Sequence, residues 1–221
     1  MGRLKKEDDD ETCEVCEAVV KPYHYYEQQL IRRVHHFYLS REIGEPDGYV
    51  EMIHRIKMAS AEEMIYIHLN TPGGHLDTGV QIVNAMQSSQ AHIVCSVEAE
   101  SHSLGTLIFL AADEFIVHDN CIMMFHNFSG GVFGKGHEQI SQVQATQEWY
   151  TSLCRKLYVP FMTEDELERI IKGEDLWFTS EEIRERLKIM VAHLEKEQAK
   201  KDAAAAPTKK TTKRKRVDVT P

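Results

Sequence analysis

The sequence predicts an α/β layered fold built on a largely parallel sheet. Three observations carry that expectation. Between about residue 26 and about residue 195, short apolar runs with strand-like alternation take turns with longer runs whose apolar residues recur at helical spacing. Glycine and proline cluster at a junction in "NTPGGH", where a strand-like run stops and a helix-like run begins. With 221 residues, 42% of them hydrophobic, the chain is long enough to bury a real core as one domain with tails.

Taken in order, "FYLSREI" (37–43) predicts a strand and "GYVEMIHRIKMAS" (48–60) a helix. "MIYIHLN" (64–70) alternates with period two and stops at "TPGG". "HLDTGVQIVNAMQSS" (75–89) sets Leu76, Val80, Val83 and Met86 on one helical face. "HIVCSV" (92–97) predicts a strand, "LGTLIFLAA" (104–112) a buried helix, and "EFIVH" (114–118) and "CIMMFH" (121–126) two more strands. The run 137–158 predicts a long amphipathic helix through Ile140, Val143, Tyr150, Leu153 and Leu157. "TEDELERIIKG" (163–173) and "TSEEIRERL" (179–187) predict short helices, each opening on a hydroxyl followed by acids.

The ends differ in kind from this core. Residues 1–25 are acidic and without periodicity, and 199–221 form a basic low-complexity tail, leaving 26–198 as the expected folded domain. Net charge is −9 overall, but the stretch from Lys200 carries +6, so the rest of the chain carries −15. An acidic body of this kind excludes a general nucleic-acid binder, and nucleic acid could engage only the tail. No apolar run approaches the ~20 residues of a membrane span, and the opening "MGRLKKEDDDE" lacks the apolar centre of a secretory leader, which sets a cytoplasmic expectation. Five cysteines are an odd number; Cys95, Cys121 and Cys154 lie in apolar runs and read as reduced core residues. Cys13 and Cys16 form a lone CxxC without a second half, and His24, His35 and His36 have no recurring ligand spacing, so no metal or organic cofactor is expected.

Chemistry-bearing residues collect where elements end. "SHSLG" (101–105) stands between the "HIVCSV" strand and a buried helix, Gly73 and Gly74 sit between a strand and a helix, His126 closes "CIMMFH", and Asp175 precedes "LWFTSEE". A serine nucleophile needs a base, the base needs a carboxylate to fix its tautomer, and the oxyanion needs N–H donors. Ser103, His126, Asp175 and the Gly74 turn offer those groups, although spacing alone does not bring them together. Ser103 as a plain helix N-cap is the alternative on pattern alone.

The blocks "YIHLNTPGGHLDTGVQIVNAMQ", "SLGTLIFLAAD", "IMMFHNFSGGVFGKGHEQI" and "DLWFTSEEI" resemble, in order, the successive blocks of the ClpP serine peptidases, from about Phe37 to Leu187. That resemblance implies a ClpP/crotonase-like spiral of ββα units with a protruding handle helix at 140–157. It implies Ser103 as nucleophile, His126 as base, Asp175 as orienting acid, and the N–H groups of Gly74 and Leu104 as oxyanion hole. Substrate contacts at Leu76, Gly130 and Gly131 are implied too, with "SGGVFGKG" as a handle strand to which a peptide adds. The implied activity is endoproteolysis of unfolded polypeptides in a homo-oligomer of stacked rings, with an ATP-driven AAA+ unfoldase such as ClpX or ClpA as partner. Ser101 and His102 read as local capping or packing residues rather than catalytic ones, Ser129 and His137 as structural or substrate-facing, and Glu174 as the rival acid beside Asp175. A shortened segment between Ser103 and His126 resembles phage-encoded members, and "KKEDDDETCEVCE" departs from the apolar N-terminus that forms the family's axial gate. Two other readings are an inactive ring subunit and a crotonase-type acyl-CoA enzyme.

Overall fold

The computed structural model describes residues 32–205; the acidic segment with Cys13, Cys16 and His24, and the tail from residue 206 onward, lie outside the described residues. Six strands and six α-helices follow in mixed order: β1 (Val34–Leu39), α1 (Val50–Met58), β2 (Met64–Thr71), α2 (Leu76–Ser88), β3 (His92–His102), α3 (Leu104–Leu110), β4 (Glu114–Val117), β5 (Ile122–Phe125), α4 (Gly136–Tyr158), α5 (Glu164–Ile171), β6 (Leu176–Thr179) and α6 (Ser180–Ala205). The expected α/β architecture is what the chain adopts.

One sheet runs β1-β2-β3-β5-β6, with β4 attached beside β3. Every pairing is parallel except β5 with β6, which is antiparallel. In β2 the alternation seen in the sequence becomes alternation of burial: Ile65, Ile67, Leu69 and Thr71 point into the core. β3 is longer than its apolar run. Its first half (Val94–Val97) pairs with β4, and its second half, the polar Glu100–His102, pairs with β5. Pairing with a neighbour keeps those polar residues extended although their pattern carries no strand signal. The first strand also departs from expectation: it starts at Val34 and ends at Leu39, and Ile43 keeps only an isolated bridge to Gly74.

Helices pack in chain order, α1 on α2, α2 on α3, α3 on α4 and α4 on α5. The core they close includes Ile56, Ile82, Leu107, Ile108, Phe109 and Phe125, all fully buried. α5 starts with a reciprocal cap, in which the Thr163 hydroxyl accepts from the Glu166 N–H and the Glu166 carboxylate accepts from the Thr163 N–H. α6 runs past the expected end at Leu187, burying Ile183, Leu187 and Met190 on one stripe. In α4 the buried residues, Tyr150, Cys154, Leu157 and Tyr158, all lie in the second half; Ile140, Val143 and Trp149 are exposed.

On the opposite sheet face the His36 and His68 rings hydrogen-bond at 3.0 Å, and His68 meets Glu98 at 2.7 Å. Among the described residues no group of three or more His, Cys, Asp or Glu is arranged to hold a metal ion, and no helix is long and apolar enough to cross a membrane.

Candidate active site

β2 delivers the chain to a turn that only glycine can build. Gly73 has φ +98° and Gly74 φ +143°, both in the region that L side chains rarely adopt. Space forbids a side chain as well: a Cβ on Gly74 would lie 2.2 Å from the Ile43 carbonyl oxygen, and one on Gly73 2.8 Å from the His102 carbonyl oxygen. The turn is pinned from behind, because the Ile43 N–H donates to the Gly73 carbonyl (2.7 Å) and the His75 N–H to the Ile43 carbonyl (2.7 Å). Neither bond uses the Gly74 N–H. The Thr71 hydroxyl adds a third tie, accepting from the Gly73 N–H at 3.1 Å and donating to the Arg41 carbonyl at 2.7 Å.

Ser103 sits where β3 hands over to α3, with φ 53° and ψ −118°. It is the one non-glycine residue with positive φ among the described residues. Such a backbone costs about 1–3 kcal/mol and persists only where surrounding contacts enforce it. Here the Ser103 N–H donates to the Met124 carbonyl of β5 (2.8 Å), while its carbonyl accepts from the Thr106 N–H (3.0 Å) and hydroxyl (2.6 Å). Ser103 does hold the N-cap position of α3, but its side chain makes no capping bond. Its hydroxyl instead meets His126 Nε2 at 2.6 Å.

His126 follows the last residue of β5, and its carbonyl accepts from the Tyr150 hydroxyl at 3.1 Å. The β5–β6 register runs from Ile122 opposite Thr179 to Phe125 opposite Leu176. His126 is the residue after Phe125 and Asp175 the residue before Leu176, so both leave the same end of this ladder. No hydrogen bond between the two appears among the described residues, and Asp175 is exposed. Glu174, the rival acid, is turned away and gripped by the Arg169 guanidinium, which holds its carboxyl below the usual range. The structure thus brings together Ser103, His126, Gly74 and Leu104, and carries Asp175 to the adjoining chain end without closing a bond to the imidazole.

Next to the serine hydroxyl lies a small cavity of about 50 Å³ whose walls include Gly74, Leu76, Leu104, Phe128, Ser129 and Tyr150. It adjoins a recess of about 500 Å³ lined in part by Leu76, Ser129, Gly130 and Gly131. All three expected substrate residues therefore face the same hollow. Residues 127–135 take no strand conformation, unlike the expected handle strand. That glycine-rich stretch has weak strand propensity, and no neighbouring strand among the described residues pairs with it. A larger groove of about 830 Å³ between β4 and α6 shares no lining residue with these hollows and presents no nucleophile beside a base, so the Ser103–His126 contact, rather than cavity size, locates the site.

Ser101 and His102 are packing residues. The Ser101 hydroxyl is buried beneath Gly105 and the His102 ring lies edge-on to Trp177, leaving Ser101 Oγ and His102 Nε2 buried without partners. Residues missed from the sequence are Thr71, Thr106 and Tyr150, which bond the backbone of Gly73, Ser103 and His126, and Tyr158, which bonds the Thr106 hydroxyl. A threonine inside the otherwise apolar "LGTLIFL" was the signal available.

A family model described as Clp protease matches residues 25–186. The chain is 26% identical over 125 residues to the ATP-dependent Clp protease proteolytic subunit 1 of Frankia casuarinae, covering 55% of this chain and 58% of that one. It is 30% identical over 87 residues to the ATP-dependent Clp protease proteolytic subunit 2 of Pseudomonas aeruginosa, covering 38% and 43%. The chain thus spans about half the length of these curated relatives.

Proposed function

The chain belongs to the Clp protease family, and from that premise we propose that it is a serine endopeptidase in which Ser103 attacks the peptide carbonyl and His126 takes its proton. The observation that carries this reading is the 2.6 Å contact between His126 Nε2 and Ser103 Oγ at a strained backbone position. As the tetrahedral oxyanion forms, the N–H groups of Gly74 and Leu104 donate to it; each such donor contributes about 3 kcal/mol to lowering the barrier. Collapse expels the amine, protonated by His126, and leaves an acyl group on Ser103. Water, deprotonated by His126, then releases the acid. Asp175, the residue before Leu176, is the acid that in this reading accepts from the imidazole Nδ1–H and fixes its tautomer.

The chain's own hollows suggest the substrate: an extended polypeptide whose apolar side chain enters the pocket beside Leu76 and Phe128, with its backbone along Gly130 and Gly131. We place residues 26–198 as the peptidase domain, flanked by the 1–25 segment and the 199–221 tail. We propose assembly as stacked homo-oligomeric rings in the cytoplasm, fed with unfolded chains by an AAA+ unfoldase. The crotonase-type reading is less well served: the small cavity beside Ser103 has no carboxylate in its lining, and Asp77 is the single one in the adjoining recess.

The test is labelling of purified protein with a fluorophosphonate probe, wild type beside Ser103→Ala, with particle size measured on the same sample. Labelling that disappears in the variant supports an activated serine. A well-assembled wild-type particle that fails to label would transfer the case to an inactive ring subunit.

A further inference from the structure

Three residues at i, i+4 and i+8 of α4, Tyr150, Cys154 and Tyr158, are 3%, 0% and 0% exposed. A helix that only needed to pack here could carry phenylalanine at both tyrosine positions, because a buried hydroxyl costs free energy unless it is bonded. Both hydroxyls are bonded, and each bond leads to one of the two reacting residues. Tyr150 donates to the His126 carbonyl. Tyr158 Oη lies 2.7 Å from Thr106 Oγ1, which itself lies 2.6 Å from the Ser103 carbonyl. A hydroxyl has one proton and a carbonyl has none, so the direction is fixed: Tyr158 donates to Thr106, and Thr106 donates to Ser103.

The rings reinforce the hydroxyls. Tyr158 meets Phe125 edge-on at 5.0 Å and Tyr150 meets Phe128 edge-on at 5.3 Å, so His126 is bracketed on both sides of the chain. The Ser103 carbonyl also shares one planar peptide unit with the Leu104 N–H, and in a trans peptide the two point in opposite directions. Drawing the carbonyl toward Thr106 therefore aims the Leu104 N–H the other way, toward the oxyanion.

We infer that Thr106, Tyr158 and Tyr150 are positioning residues: a Tyr158–Thr106 relay that orients the Ser103–Leu104 peptide, and a separate Tyr150 bond that seats His126. The inference rests on the serine-peptidase reading above. None of the three donates to or accepts from substrate; they act through the backbone they hold.

The experiment compares Thr106→Val, Thr106→Ser, Tyr158→Phe, Tyr150→Phe and the pair Thr106→Val/Tyr158→Phe with wild type in the full assembled chain. It reads the limiting rate and half-saturation of fluorophosphonate labelling across pH, and the ¹⁵N signals of the Leu104 amide and His126 imidazole. Thr106→Val should lower the limiting rate roughly tenfold or more with half-saturation unchanged. Thr106→Ser, which keeps the hydroxyl, should stay near wild type. The pair should label no more slowly than Thr106→Val alone, because both changes cut one relay. Tyr150→Phe should shift the His126 signal and the pH midpoint. Wild-type rates in Thr106→Val and Tyr158→Phe would overturn the relay, as would equal losses in Thr106→Ser and Thr106→Val. Should wild type itself not label, the peptidase reading fails, and the relay is judged by the Leu104 amide: a shift in Thr106→Val upholds it and an unmoved signal overturns it.

Discussion

Replacing Gly79 by alanine sets two opposed effects against each other, and the structure decides between them. Gly79 is a buried residue inside α2, where alanine would ordinarily gain about 1 kcal/mol of helix propensity. Its missing side chain is the space in which Leu104 lies. A Cβ there would stand 2.1 Å from Leu104 Cδ1, 2.3 Å from Cγ and 2.4 Å from Cδ2. All three are far inside contact distance, and Leu104 is itself only 3% exposed, so it has little room to swing. Overpacking of this kind costs about 1–3 kcal/mol, which exceeds or cancels the propensity gain. With three contacts this short the cost falls at the upper end of that range, so we expect Gly79→Ala to be destabilised by up to about 2 kcal/mol, lowering the thermal midpoint by about 2–4 °C per kcal/mol. Because Leu104 also carries a proposed oxyanion N–H, fluorophosphonate labelling should slow by roughly tenfold or more. Leu104→Ala removes every atom in the clash, at a cost of about 2–5 kcal/mol on its own. Combined with Gly79→Ala it should be more stable than the sum of the two, by about 1 kcal/mol or more. A Gly79→Ala protein as stable as wild type, labelling at full rate and additive with Leu104→Ala, would refute the reasoning.

Acid should weaken the junction of α5 and α6. The Arg186 guanidinium bonds both oxygens of Glu166, and with the Thr163 N–H it pulls that carboxyl down from 4.5 to about 2. A carboxyl depressed in the folded state stabilises above its unfolded pKa, so, discounted for solvent screening, about 1–2 kcal/mol should be present above about pH 4.5 and be lost as pH falls toward 2. Unfolding curves of Glu166→Gln should be flatter over that window than wild type; equal slopes would refute the assignment. Burial pushes the thiols of Cys95 and Cys121 up, and that of Cys154 up to about 12. Iodoacetamide at pH 8 should leave all three unmodified in native protein and alkylate them in guanidinium, as peptide mapping would read. Native alkylation of Cys95 or Cys154 at the unfolded rate would contradict the packing.

Most of the architecture was legible because burial imposes periodicity. Ile65, Ile67 and Leu69 alternate since one face of β2 is core, and Leu167 and Ile170 repeat since one face of α5 is. Where a partner strand overrides the residues' own pattern, legibility ends: nothing in the polar Glu98–His102 announces that β3 continues beside β5. For the site, Ser103 and His126 could be named from the order of their blocks, but the hydrogen bond between them is a tertiary fact. Tyr150 reads as one more apolar residue of an amphipathic stripe, and Tyr158 as the end of a helix. Their hydroxyls matter only because α3 and the end of β5 pass within reach. Asp175 illustrates the converse, a residue whose place along the chain was readable while its bonding was not.

β3 also explains why a change in length can be tolerated so near the proposed chemistry. The strand divides its partners: β4 hangs on the first half, and β5 on the second, with Glu100 opposite Ile122 and His102 opposite Met124. The chain between Ser103 and His126 passes through β4 on its way to β5. Residues inserted or deleted at the turn after Leu110 alter the path into β4 and the Asp113–Ile93 bonds that tie it to the first half of β3, while the ladder to the second half of β3 sets where His126 emerges. The fold therefore insulates its proposed nucleophile and base from the one segment that joins them, and drift in that segment's length can accumulate without altering their separation.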